Sequence, residues 1–166
     1  MIVVADTSPF VGLIGIGLID TLPQLYKSVV IPPAVAGELA SPHRPPSVRT
    51  FIASTPSWLS VRIPSAVEII ADLDPGELEA ISLARELKAE LLLIDETAGR
   101  RAAIARKIQT VRTAAILFNA ANKGLIPDLA DAYARLRATN FRVPPEALDV
   151  MLKKHLEIQR RKQDGG

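Results

Sequence analysis

The chain has 166 residues with 48% hydrophobic and 23% charged side chains and a mean hydropathy of +0.21, which excludes a disordered or low-complexity chain and suits one well-filled core. A net charge of +2 and the absence of cysteine exclude disulfides and thiolate metal sites and accord with a cytoplasmic setting. The longest apolar run, Phe10 to Ile19, contains three glycines and falls short of the roughly 18 residues of a membrane span.

In chain order, IVVA (2–5) reads as a buried strand that stops at Asp6, and helices are expected over 9–16 and 18–25. A second strand, SVVI (28–31), leads into a helix over 33–39. The proline-rich stretches SPHRPPS (41–47) and STPSW (54–58) read as loops. LSVRI (59–63) is a third strand, followed by helices over 65–73 and 75–87. ELLLI (90–94) and TVRT (110–113) are further strands on either side of a helix over 97–107. Helices over 114–123, 128–139 and 145–160 complete the chain. No basic stretch leads into an apolar core at the start, so a secretory leader is not expected.

Strands alternating with helices predict an α/β fold with a mostly parallel sheet covered on both faces. One domain over residues 1–150 is expected, followed by a basic helix end or tail over 151–166. Within that tail, KKHLEIQRRKQ (153–163) carries five Lys/Arg against Glu157. It reads either as a solvated helix end or as an arm that contacts phosphates. Aromatic residues make up only 4%, which argues against a base-stacking platform. His43 and His155 are isolated and read as surface residues.

Ligands of parallel sheets collect at the carboxyl ends of strands. Asp6 ends the first strand and Asp95 the fourth, so both fall at the same sheet edge. Each could instead cap the helix that follows it. Glu38 interrupts an apolar helix face with Ala34 and Val35. Glu77 shares a face with Ala80, Ile81, Ala84 and Leu87, whereas Glu79 groups with Ser82 and Glu86 on a polar face. Asp74, Pro75 and Glu77 also fit a helix cap, which offers a second role for Glu77. Carboxylates gathered in one crevice repel and raise one another's pKa unless a cation is present. With no Cys and no clustered His, a hard oxygen-liganded ion such as Mg2+ is the chemistry the residues allow.

The segments VVADTSP, VVIPPAVAGELA, LDPGELEAISLA and LLLIDETAGRRAA, then ILFNAANKGLIPDL, resemble the PIN-domain family, in particular its VapC-like branch. The likeness covers about residues 2 to 130. It implies a three-layer α/β/α sandwich whose acids bind Mg2+ or Mn2+ and cut RNA. Matched position by position, the implied catalytic and metal-binding acids are Asp6, Glu38, Glu77 and Asp95, with Thr7 and Ser8 in support. Arg100 and Arg101 are implied as nucleic-acid contacts. In two places the chain departs from the family: Glu77 stands where Asp is common, and Arg112 stands where a small glycine-containing turn is frequent.

The resemblance implies a metal-dependent ribonuclease acting as the toxin of a toxin–antitoxin pair, with RNA as substrate, a cognate antitoxin and a homodimer as partners. An alternative is a PIN-like module that binds RNA or a partner without effective catalysis, which would not need the metal. A phosphoacceptor or phosphohydrolase domain using Asp6 is a third class. The missing second acid beside Asp6 counts against it.

Overall fold

Five strands of two or three residues each form a single all-parallel sheet in the computed structural model, which describes residues 1–166. They are β1 (Val3–Ala5), β2 (Val29–Ile31), β3 (Leu59–Val61), β4 (Leu91–Leu93) and β5 (Thr110–Val111), in the spatial order β3-β2-β1-β4-β5. In register, Val4 lies opposite Val30 on one side and Leu92 on the other. The strands are apolar at successive positions because both faces are covered. Val3, Ala5, Val29, Ile31 and Leu93 belong to the larger core, whereas Val4, Leu92 and Ile94 belong to a smaller one.

The larger core packs against α1 (Thr7–Gly15), α2 (Thr21–Tyr26), α4 (Pro46–Ala53), α7 (Thr113–Asn122), α8 (Leu129–Ala138) and α9 (Pro145–Asp164). On the other face lie α5 (Pro75–Glu86) and α6 (Thr97–Ala105). Helix α3 (Pro33–Leu39) sends Val35 and Leu39 into the larger core and runs against α5. This is the expected three-layer α/β/α arrangement with a parallel sheet. Phe10 and Leu13, one turn apart on α1, are fully buried, and truncating Leu13 to Ala is expected to cost about 2–5 kcal/mol. No helix is long and apolar enough to cross a membrane.

Residues 65–73, expected to be helical, form no helix. Side chains of α5 hold that backbone instead. The Ser65 amide donates to Glu86 Oε2 (2.7 Å) and the Glu68 amide to Ser82 Oγ (3.0 Å). Val67 and Ile69 are exposed, so no apolar helix face is buried here, and the tertiary hydrogen bonds win. Conversely, Pro46 opens a helix, α4, inside what read as a loop, since proline fits the first helical turn. Helix α1 starts at Thr7, two residues before the expected position, and α9 continues to Asp164. The basic run 153–163 is therefore part of one continuous 20-residue helix.

Candidate metal centre

Asp6 leaves β1 with its amide donating to the Leu93 carbonyl (2.9 Å), which docks the end of β1 against the end of β4. The residue is buried. It precedes α1, yet its carboxylate makes no capping hydrogen bond, and Oδ1 is buried without any partner. The capping explanation therefore fails for Asp6. A buried acceptor left unsatisfied by the protein is costly, so this oxygen is suited to a ligand from outside the chain.

Glu38, half-buried on α3, accepts a hydrogen bond from the Thr7 hydroxyl. Helix α3 is itself tied to α5, because Glu79 Oε2 accepts from the Ala34 amide (2.6 Å). Glu79, which reads from sequence as part of a polar face, thus joins two helices. At the start of α5, Asp74 Oδ1 accepts from the Glu77 amide (2.8 Å) as the helix cap. Asp74 does a second thing: Asp6, Glu38 and Asp74 each bring one carboxylate oxygen within 4.8 Å of the others. Gly76 permits this approach, since a Cβ there would lie 2.5 Å from Glu38 Oε1. From sequence, Asp74 was legible only as a cap, and its place in the cluster was missed. The Asp-Pro-Gly turn before Glu77 was the available signal.

Glu77 is buried beneath α6, where a Cβ on Gly99 would come 3.2 Å from its Oε2. Burial pushes its carboxyl up to about 8, reinforced first by the charge of Asp74 and then by those of Asp6 and Glu96. Asp6 is pushed up to about 7, chiefly by burial and then by the charges of Asp74, Glu38 and Asp95, while the neighbouring Thr7 amide works the other way. Burial leads in both, and the neighbouring carboxylates add to it.

Asp95 is held differently. It does not cap α6, whose capping position is Glu96. Its Oδ1 accepts from the Thr113 amide (3.0 Å) and its Oδ2 from the Thr113 hydroxyl (2.7 Å), so it secures the start of α7 across the sheet edge. Burial raises its pKa, opposed by the Thr113 hydrogen bonds and the charge of Arg112. Asp95 lies outside the three-oxygen group, although Asp6 feels its charge. Ser8 is half-buried one residue further along α1 than Thr7. Arg100 and Arg112 each bury an Nε without a partner, and neither joins an ion pair within 4.0 Å. Arg101 is exposed.

An all-oxygen donor set, an orphaned buried carboxylate oxygen and acids with raised pKa fit a hard divalent cation. Asp6, Glu38 and Asp74 are the residues that would hold it.

A family model described as PIN domain matches residues 2–157. Among solved structures the chain is similar to a PilT N-terminus domain protein, SSO1118, from the hyperthermophilic archaeon Sulfolobus solfataricus P2. The two share 20% identity and superpose with a TM-score of 0.52, covering 80% of this chain and 93% of that one. At that identity the likeness speaks for the fold. No curated protein matches the chain.

Proposed function

The chain belongs to the PIN-domain family, and on that ground we propose that it is a metal-dependent ribonuclease of the VapC-like type that hydrolyses RNA phosphodiesters. Mg2+ or Mn2+ is the cofactor, held by Asp6, Glu38 and Asp74, with Glu77 and Asp95 closing the site around them. The observation that carries this reading is the unpartnered Asp6 oxygen inside a cluster of acids with which no basic side chain forms an ion pair.

A divalent ion bound there supplies Lewis-acid activation of water and neutralises charge that develops on the phosphate. The chain's own residues prepare the site. Asp6 is fixed by the sheet, Glu38 by the Thr7 hydroxyl, and Asp95 by both hydrogen bonds from Thr113. Such rigid placement is what metal-assisted attack requires. Asp6 and Glu77 hold protons near neutral pH in the metal-free site and release them as a cation binds. Gly76 keeps the first turn of α5 out of the space that Glu38 uses.

The VapC-type reading brings a cognate antitoxin and a homodimer as partners. A second reading, a catalytically weak module that binds RNA or a partner, draws on one observation: both oxygens of Asp95 are already engaged by Thr113. Metal titration by calorimetry and cleavage of a mixed RNA pool with Mg2+ or Mn2+ test the proposal. Metal binding with cleavage, both lost in Asp6→Asn, is the expected result. A folded wild-type protein that binds Mn2+ but cuts nothing turns the reading to the binding module, and one that binds no metal overturns the proposed site.

A further inference from the structure

A cleft of about 670 Å³ leads away from the acids along α1. Thr7, Ser8, Asp95 and Glu96 line the end nearest the cluster. Its floor is one stripe of α1, Ser8, Val11 and Gly15, at the spacing that puts side chains on one helix face. These residues are small, so the floor stays low over a rise of about 10 Å. The walls come from the two connections that flank α1, one between α3 and α4 and the other between α8 and α9.

Each connection contributes an arginine that forms no ion pair. Arg44 donates through Nε to the Glu38 carbonyl (3.3 Å), which orients its guanidinium beside the acid-bearing helix and leaves both terminal amino groups unengaged. Arg142 is exposed and without a carboxylate partner. Ser47, Thr139 and Asn140 add neutral hydrogen-bonding groups to the lining. Phe141 is the aromatic of this cleft, and it is wedged against α1: a Cβ on Gly12 would sit 3.0 Å from its ring. Its ring is occupied by packing, which leaves guanidinium and hydroxyl groups as the recognition elements. Free guanidiniums flanking a polar channel match a phosphodiester backbone, whose contacts position a strand without reading its bases.

We infer that this cleft is the track of the RNA strand beside the cutting site, with Arg44 and Arg142 binding its phosphates. The inference rests on the nuclease reading for the identity of the strand, but its test does not need cleavage. Binding of a fluorescein-labelled oligouridylate is followed by anisotropy in EDTA across a series of salt concentrations, so that hydrolysis cannot interfere. Arg44→Gln and Arg142→Gln are each expected to weaken binding at least about threefold and to flatten the slope of log affinity against log salt by about 0.7. Arg44→Lys, which keeps the charge and loses the bond to Glu38, is expected to retain most of the slope. Lys88→Gln, at the opposite edge of the sheet before β4, serves as the control and is expected to change neither quantity. Mn2+ affinity is expected to be unchanged in both glutamine variants, which separates loss of the track from loss of the metal site.

The inference stands if the slopes fall even when the wild type shows no cleavage. It is overturned if folded Arg44→Gln and Arg142→Gln bind and cut RNA like wild type, a result that leaves the nuclease reading intact. It is also overturned if wild type binds no oligouridylate, or if polyglutamate displaces the RNA as well as unlabelled oligouridylate does, which would give the cleft to an acidic peptide.

Discussion

The two ends of α5 meet carboxylates under opposite conditions. At its first turn Asp6, Glu38 and Asp74 gather beside Glu77 with no ion pair to a basic side chain, and the pKa of Asp6 and Glu77 rises to about 7 and 8. Toward its last turns Glu68 is met by Arg106 (2.6 and 2.9 Å) and Arg85 (2.7 Å), and the hydrogen bonds from Arg106 lead in holding it down to about 2. Glu86, nearby, accepts from both the amide and the hydroxyl of Ser65. The chain therefore has arginines to satisfy acids and places them where acids fasten a loop. It withholds them where acids converge. A satisfied carboxylate builds structure, and an unsatisfied group of them is fitted to receive a cation.

The largest expected effect comes from removing the acid at the centre of the unsatisfied group. Asp6→Asn is expected to lower Mg2+- or Mn2+-dependent RNA cleavage by orders of magnitude, measured on a fluorogenic RNA. The same change should stabilise the metal-free protein at pH 8 by an amount on the order of 1–3 kcal/mol, read by urea denaturation, because a buried charge is gone. Loss of stability in metal-free Asp6→Asn would erase the contrast between the two ends of α5.

Asp74→Asn keeps a capping oxygen for the Glu77 amide, so the helix should persist while metal affinity falls by roughly 10–100-fold in calorimetry. Unchanged affinity would return Asp74 to a cap alone. The pH dependence follows from the same group. Asp6 and Glu77 retain protons in the folded chain at pH values where the unfolded chain has lost them, so their ionisation opposes folding. Metal-free protein should lose stability as pH rises from about 4.5 to 8, and saturating Mn2+ should remove most of that loss. The smallest effect is expected at the satisfied end. Glu68→Gln should lower the melting temperature only slightly, more at low salt than at high, because the pair with Arg85 is exposed. It should leave metal binding untouched.

The sequence made the strand-end acids legible because short apolar runs announce where a parallel sheet stops, and Asp6 and Asp95 follow such runs. Glu38 and Glu77 were legible as acids on apolar helix faces. Asp74 was not, because its position before Pro75 is fully explained by capping, and only three-dimensional proximity shows its second contact. The partner of Asp95 was equally hidden, since Thr113 lies 18 residues away on another helix. The same limit applies to residues 65–73, whose conformation is set by side chains of a helix that comes later in the chain. Arg44 and Arg142 come from connections without periodicity, so nothing local linked them.

The strand order has a consequence in time. β1 sits at the centre of the sheet, and one of its two neighbours, β4, begins 88 residues after it. During synthesis, Asp6 emerges with the first residues but cannot meet Asp74 or the end of β4 until roughly half of the chain has followed. Long-range parallel pairing of this kind is slow to form, and chains emerge at roughly 5–20 residues per second. The acid cluster is thus absent from the nascent chain for seconds, because roughly the first half of the protein is made before its acids can meet.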